Sequence, residues 1–214
     1  MKKLILNLLL INSIFIFVFS LKTHAEINLY INLSGGNKFI TDTTYPEIKP
    51  QTFTLKTGKS FTVLQAQESD YLYDVWIIGN GFSGKADTIL LDELEHIDTI
   101  IIADINNDSF EELYFFTHGF LPGAYGHVFG ITSDRDISYK EINFPDLKPE
   151  EINKGGIFEG YNGKDVYIIR NNTLERVFPV YKPGDTYENP TGGKKTIYYT
   201  IEKTSNGYFY KIKE

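Results

Sequence analysis

The chain has 214 residues, with 21 Lys and Arg against 28 Asp and Glu, and it contains no cysteine. The lack of cysteine excludes a disulfide scaffold, a cysteine-ligated zinc domain and a thiol nucleophile. The formal charge of −7 argues against a nucleic-acid-binding protein, which normally has a basic surface. Fifteen Tyr, sixteen Phe and eighteen Gly favour a β-rich globular protein over a disordered one.

The first 25 residues have the pattern of a secretory signal. Lys2 and Lys3 precede an apolar run over residues 4–19, and a small residue, Ala25, follows. The run is shorter than the roughly 20 residues of a membrane-spanning helix, so we expect cleavage near Ala25 and no membrane association afterwards. Residues 26–214 would then have a net charge of −10, and we expect them to be periplasmic or secreted.

Short runs rich in Ile, Val, Thr, Phe and Tyr alternate with turn residues after the signal, which predicts strands. The predicted strands are Ile27–Leu33, Ser60–Gln67, Tyr71–Ile78, Thr88–Leu91, Thr99–Ala103, Glu112–Thr117, His127–Thr132, Asp165–Arg170 and Thr173–Val180. Residues 35–51 show no period and are expected to be a long connection. Pro149–Glu151 and Asp92–His96 are candidates for single helical turns.

Two dipeptides predict hairpins. Residues 171–172, Asn-Asn, separate the last two strands of that series, and Asn206-Gly207 is a strong two-residue turn signal near the C-terminus. The second turn would pair Ile201 with Ile212 and Glu202 with Lys211. The elements together predict an all-β fold, an antiparallel β-sandwich or a barrel-like domain, that forms a single domain over residues 26–214.

An acidic loop follows the predicted strand 99–103. Its oxygen-bearing side chains stand at alternate positions, with a further acid beyond them, a pattern that can wrap a hard cation such as calcium. The candidate ligands are Asp104, Asn106, Asp108 and Glu112. The sixth position, normally Gly, is Ser109, and the alternative is a turn whose Asn and Asp side chains cap their own backbone. The sequence establishes no cofactor, and calcium is the candidate.

A second loop, residues 117–126, reads Thr-His-Gly-Phe-Leu-Pro-Gly-Ala-Tyr-Gly. A turn stiffened by Gly and Pro that carries aromatic and aliphatic side chains is typical of a protein-binding loop. The alternative is that Phe120 and Leu121 pack beneath the loop as a small satellite core.

The two loops together resemble a known family. The pattern Asp104-x-Asn-x-Asp108-x-x-x-Glu112-Leu-Tyr-x-Phe-Thr117, followed by Gly123-Ala-Tyr125-Gly126, resembles bacterial periplasmic inhibitors of invertebrate-type (I-type) lysozyme. The tail Phe178-Pro-Val-Tyr-Lys-x-Gly-Asp185, with Pro190-Thr-Gly-Gly193, is similar to longer members grouped with them. The resemblance covers residues 99–214.

The resemblance implies a β-sandwich that inserts one loop into the lysozyme cleft. The family loop carries Ser-Gly-x-Tyr, and the matching residues here are Pro122, Gly123, Ala124 and Tyr125. Pro122 has neither a hydroxyl nor a backbone N–H, so one hydrogen bond to a catalytic carboxylate is lost. Such a loss costs about 1.5–3 kcal/mol, one to two decades of affinity. His118 is a candidate replacement donor at mildly acidic pH, and Phe120 belongs to the same contact surface.

The expected function is therefore inhibition of I-type lysozyme by a non-enzymatic, exported protein. The alternative is a calcium-stabilised exported binding or adhesion module without lysozyme inhibition. An enzyme would need a convergent nucleophile, base or metal set, and the sequence presents none. His118 and His127 are placed to meet across a hairpin, but two histidines without a third ligand make a weak zinc site.

Overall fold

The computed structural model describes the backbone of residues 5–11, 14–20, 27–33 and 36–40, and all of residues 50–84, 88–119 and 126–213. Strands predominate, and the all-β class predicted from the sequence is confirmed. The strands are β1 Ile5–Ile11, β2 Ile14–Ser20, β3 Ile27–Leu33, β4 Gly36–Ile40, β5 Gln51–Thr54, β6 Ser60–Gln67, β7 Tyr73–Asn80, β8 Ile89–Leu94, β9 Ile97–Ala103, β10 Glu112–His118, β11 Gly126–Asp134, β12 Ser138–Asn143, β13 Val166–Arg170, β14 Thr173–Pro179, β15 Lys194–Thr204 and β16 Gly207–Ile212.

The described part of the chain has one helix, α1, over Pro149–Ile152. Pro149 occupies its first turn, as predicted, and the Glu151 carboxylate accepts a hydrogen bond from the Lys148 backbone N–H at 2.8 Å. No helix in the described residues is long and apolar enough to cross a membrane.

The chain divides into two compact units. The first comprises residues 1–54 and 58–93, and the second comprises residues 55–57 and 94–214. The first contains two four-stranded sheets, of order β1-β2-β3-β4 and β5-β6-β7-β8. Strands β1 and β2 lie within residues 1–25, which the sequence analysis interprets as a secretory signal. Cleavage of that signal stays a prediction. The start of a single domain at residue 26 also stays a prediction.

The second unit is built on one eight-stranded sheet, of order β13-β14-β15-β16-β12-β11-β10-β9. The sheet curls so that its edge strand β13 approaches β11, and the Gly126 N–H donates to the Asp165 carbonyl at 3.0 Å. One core is therefore shared by strands that are far apart in the sheet order. Its buried residues are Ile105, Tyr114, Phe116, Val128, Ile142, Phe158, Leu174, Phe178, Ile197, Tyr199, Tyr208 and Tyr210.

The pairing of β12 with β16 is parallel, through Ile142 opposite Tyr208, and departs from the predicted antiparallel arrangement. The other pairs resolved in this sheet are antiparallel. A parallel pair needs a long crossover, and the chain between β12 and β16 supplies one through α1 and β13–β15.

The hairpin around residues 171–172 is confirmed. Asn171 and Asn172 have φ values of 49° and 52°, the left-handed conformation that a two-residue hairpin turn requires, and they join β13 to β14.

The C-terminal hairpin forms, but its predicted register is wrong by two residues. Ile201 faces Tyr210 and Glu202 faces Phe209, because the two turn residues are 205–206 and Gly207 is the first residue of β16, with φ of 129°. A shift of two residues leaves each side chain on its predicted face. The Lys211 ammonium therefore still reaches the Glu202 carboxylate, at 2.8 Å.

Two further predictions are wrong. Residues 92–96 do not form a helical turn, because β8 continues to Leu94 and the Glu93 backbone N–H bonds to the Asp74 carboxylate at 3.4 Å. Residues 35–51 are not one connection, since they contain β4, which pairs with β3. The residue pattern of a short polar segment does not show that it is a strand, because the strand is stabilised by backbone hydrogen bonds to a neighbouring strand.

Candidate functional site

The acidic loop, residues 104–111, joins β9 to β10 and is folded around its own side chains. The Asp104 carboxylate accepts the backbone N–H groups of Asp108 at 3.2 Å and Ser109 at 3.0 Å. The side-chain oxygen of Asn106 accepts the same Asp108 N–H at 3.0 Å. The capped turn considered as an alternative is therefore present, and the carboxylates of Asp104 and Asp108 accept backbone N–H groups of the loop itself.

The backbone of this loop turns through two left-handed residues. Asn107 has φ of 58° and Ser109 has φ of 73°. Ser109 is the sixth position, at which the sequence pattern leads one to expect Gly, and the loop makes the same sharp bend with a residue that costs roughly 1–2 kcal/mol more in this conformation. The substitution therefore raises the free-energy cost of the left-handed conformation at this position.

Glu112, the first residue of β10, is fully buried. One carboxylate oxygen accepts the Ile105 N–H and the Tyr114 hydroxyl, both at 3.1 Å, and the other accepts the Thr132 hydroxyl at 3.3 Å. Burial raises the pKa of Glu112 from 4.5 to about 8, against the lowering effect of the hydrogen bonds, and the charges of Asp108 and Asp104 raise it further.

Three of the four candidate ligands come together. Asp104, Asp108 and Glu112 each bring a carboxylate oxygen to within 4.8 Å of the others. Since calcium binds oxygen at 2.3–2.6 Å, one ion between them can reach all three, and their hard oxygen atoms fit that cation. The side-chain amide nitrogen of Asn106 donates to Asp108 at 3.0 Å, so Asn106 orients a ligand in this arrangement.

Glu111, beside Glu112, is a buried acid that sequence reasoning missed. Its carboxylate accepts the Lys56 backbone N–H at 2.6 Å and lies 3.1 Å from the Lys56 ammonium. Adjacent glutamates at the start of a strand point to opposite faces, and each is buried on its own side. Glu111 has a cation as its partner, whereas the three donors to Glu112 are neutral groups.

The second predicted site is the loop between β10 and β11. Phe120 and Pro122–Tyr125 lie outside the described residues, and their contacts stay predictions. Strands β10 and β11, which flank this loop, are paired as far as His118, which lies opposite Gly126. His118 is half-exposed at the end of β10, and its Nδ1 lies 2.6 Å from Asp98 Oδ1 and 2.7 Å from Oδ2.

Gly126, the last residue of the Gly123-Ala-Tyr125-Gly126 motif, has a structural role. A Cβ atom here would lie 2.5 Å from the Asp165 carbonyl oxygen, which accepts the Gly126 N–H. Only glycine allows β11 to approach the chain at β13 so closely. The end of the loop is thereby anchored to the other half of the sheet.

His118 and His127 do not meet, contrary to the sequence expectation. His127 lies opposite Thr117, one position away from His118 in the ladder, so the two imidazoles point to opposite faces. His127 approaches Glu95 at 3.9 Å, and His118 contacts Asp98 instead.

The proline- and glycine-rich segment that resembles longer family members, residues 178–193, is held together by one carboxylate. The Asp185 carboxylate accepts the backbone N–H groups of Lys182 and Thr191, both at 2.7 Å, and the Thr191 hydroxyl at 2.8 Å. These hydrogen bonds lower the pKa of Asp185, and the bond from the Lys182 N–H has the largest effect. The carboxylate thus closes the loop between β14 and β15.

Comparison of the chain with protein-family models, with curated proteins and with solved structures finds no match.

Proposed function

We propose that the chain is an exported protein that inhibits I-type lysozyme, with the loop of Pro122–Tyr125 inserted into the enzyme cleft. The observation that carries this proposal is the succession of the acidic loop, a strand and Gly123-Ala-Tyr125-Gly126, which resembles the order of motifs in that inhibitor family. The protein would act by occupying the substrate cleft and would catalyse no reaction of its own.

The surroundings of the loop support a binding role. Strand β10 is buried from Glu112 through Thr117, and β11 is anchored at Gly126, so both ends of the loop start from rigid positions. A loop fixed at both ends loses less conformational entropy on docking than a free segment does. The acidic chain also suits a basic partner, since opposite net charges accelerate encounter.

Titration against I-type, chicken-type and goose-type lysozymes tests the proposal. We expect inhibition of the I-type enzyme, and Tyr125→Ala should weaken it at least tenfold because an anchoring aromatic side chain is removed. Pro122→Ser should strengthen it by about one to two decades, since it restores one hydrogen bond to a charged group.

The matched control is Tyr198→Ala, which removes a half-exposed tyrosine from β15 and should leave inhibition unchanged. Absence of inhibition of all three lysozymes at several tens of micromolar would contradict the lysozyme proposal. An equal effect of the two tyrosine variants would contradict the loop assignment alone.

A second candidate function, a calcium-stabilised exported binding module, is favoured by one observation. The carboxylates of Asp104, Asp108 and Glu112 converge, and the buried Glu112 has only neutral donors around it. A divalent cation would compensate these charges, and binding would favour the folded state in proportion to its affinity.

Thermal unfolding with calcium and with a chelator tests this candidate. We expect calcium to raise the melting temperature, and Asp108→Ala to abolish that rise because it removes one of three carboxylates. Glu188→Ala, at an exposed acid outside the loop, is the matched control and should keep the calcium response. The same melting temperature in calcium and in chelator would leave the loop as a capped turn.

A further inference from the structure

A cavity of about 210 Å³ lies in the second unit, between the chain that follows β12 and strands β13–β16. Residues 144–158 form one side of it, and one residue from each of the four strands forms the other. Its apolar lining comprises Phe144, Pro145, Leu147, Phe158, Tyr167 and Ile212. A cavity of roughly 150 Å³ accepts benzene, so this one has room for an aromatic ring with a short polar group attached.

The aromatic wall of the cavity is braced by contacts among its own rings. The ring of Phe144 meets that of Tyr199 edge to face, with 5.3 Å between centroids, and lies 5.8 Å from that of Tyr167. Side chains fixed by their neighbours lose little conformational entropy when a ligand binds. The cavity is therefore formed before any ligand enters it.

One wall of the cavity carries a buried cation, Arg176. It takes the middle of three inward positions on β14, between Leu174 and Phe178, and its side chain is only 9% exposed. Well-packed apolar residues in place of a buried ion pair are often neutral or stabilising, because a buried charge loses its hydration. Stability alone therefore gives no reason for a charge at this position, whereas a ligand in the adjoining cavity does.

The guanidinium of Arg176 has donors left for such a ligand. Of its five N–H groups, Nε–H donates to Asp165 at 2.7 Å, and the hydroxyls of Tyr161 and Tyr199 accept from it as well. The described residues offer no further acceptor, so two N–H groups of a buried charged group remain. A carboxylate is the acceptor that a guanidinium binds most strongly.

The cavity is also lined by an acid, Glu151 of α1. One of its carboxylate oxygens accepts the Lys148 N–H at 2.8 Å, and the other accepts no hydrogen bond from the described residues. The Tyr199 hydroxyl lies within range of both charges: burial raises its pKa most, Arg176 lowers it, and Glu151 raises it. One cation and one anion therefore border the same cavity.

We propose that this cavity binds a free α-amino acid with an apolar side chain. Its carboxylate accepts from Arg176, its ammonium group pairs with Glu151, and its side chain lies against the aromatic wall. A ligand with only a negative charge would be repelled by Glu151, and one with only a positive charge would be repelled by Arg176. The site is separate from the acidic loop, and it does not depend on lysozyme inhibition.

Titration of the full chain with L-phenylalanine, followed by amide NMR signals around the cavity, tests the proposal. We expect one saturable site with a dissociation constant of about 1 mM or tighter, as a ligand of about a dozen non-hydrogen atoms allows. The compounds 3-phenylpropanoate and phenethylamine each lack one of the two charges and should bind at least tenfold more weakly. Equally tight binding of either compound would overturn the proposal, as would no binding of phenylalanine at about 10 mM.

Glu151→Gln tests the acid separately, because the amide oxygen still accepts the Lys148 N–H while the charge is lost. It should weaken phenylalanine binding at least tenfold and leave 3-phenylpropanoate binding no weaker. Glu150→Gln, at an exposed acid of the same helix, is the matched control and should bind phenylalanine like wild type. Equal losses in the two glutamine variants would overturn the role of Glu151.

Filling the cavity tests its location. Leu147→Trp places a larger side chain on the lining and should abolish phenylalanine binding. The control is Ile152→Trp, at a residue of α1 that is 42% exposed and does not line the cavity, and it should keep the wild-type affinity. Unchanged binding in Leu147→Trp would place the ligand elsewhere and overturn the proposal.

Discussion

At the scale of single residues, burial decides what the acids of this protein do. Glu112 and Asp108 belong to the same sequence pattern, but Glu112 is buried at the start of a core strand and Asp108 is exposed on the loop. The first has its pKa raised to about 8, because water no longer solvates its charge. Sequence spacing identified both as candidate ligands and gave no information on which would be charged in the absence of metal.

The raised pKa of Glu112 predicts the pH dependence of stability in metal-free protein. The folded state keeps the proton that the unfolded chain releases, so the contribution of Glu112 is fully present below about pH 4.5. It is lost as the pH rises to about 8, by at most about 1.4 kcal/mol per pH unit. Urea unfolding in chelator across this range should show the decline.

Glu112→Gln should reduce this pH dependence, because glutamine is neutral at every pH and still accepts the Ile105 N–H. Glu188→Gln, at an exposed acid, should keep the wild-type slope. A wild-type slope in Glu112→Gln would assign the decline to other groups. The same protonation predicts that calcium binding near pH 7 releases a proton, which titration in buffers of different ionisation enthalpy measures.

At the scale of secondary-structure elements, a buried ion pair joins the start of β13 to β14. Arg176 Nε donates to the Asp165 carboxylate at 2.7 Å, and both side chains are almost fully buried. The guanidinium lies against the rings of Tyr161 at 4.8 Å and Phe158 at 5.1 Å. The carbonyl of Asp165 is also the acceptor for Gly126, so this residue links three strands.

Asp165→Ala should destabilise the protein by about 3–5 kcal/mol, because it leaves the Arg176 charge buried without a partner. Combining it with Arg176→Met should recover part of that loss, since the uncompensated charge is then gone. Denaturant unfolding of the single and double variants measures both effects.

The exposed pair of Glu202 and Lys211 provides the comparison, with side chains that are 49% and 56% exposed. Glu202→Ala should cost less than about 1 kcal/mol, because water screens an exposed pair. A loss in Asp165→Ala no larger than that of Glu202→Ala would contradict the importance of the buried pair.

The strands show which elements local pattern predicts well. Strands β3 and β6 have the predicted bounds, and β10 and β14 differ from prediction by one residue at one end. Each is a run of β-branched and aromatic residues bounded by turn residues, and this information lies within the segment. Strands β4, β5 and β12 were missed because they are short or polar and depend on a neighbouring strand for their backbone hydrogen bonds.

At the scale of the whole molecule, the chain is acidic and consists mainly of sheets. Its charge of −7 is unfavourable for a general affinity for nucleic acid, and the basic partner of the proposed function would complement it. The second unit stabilises itself without disulfides by curling an eight-stranded sheet around one aromatic-rich core. Tyrosines and phenylalanines supply much of that core, as the composition suggests, and each buries a large area of apolar surface.

The sequence by itself determined the all-β class, most strand positions and the hairpin at residues 171–172, and it presented the folding of the acidic loop on its own side chains as one of two alternatives. Side-chain period, turn residues and Asx bonds act over a few residues, so a local pattern is sufficient for them. Only the tertiary structure decided the parallel pairing of β12 with β16, the burial of Glu112 and the contact of His118 with Asp98. These depend on residues that are distant in the chain, and the free energy of such contacts appears only once the sheet has formed.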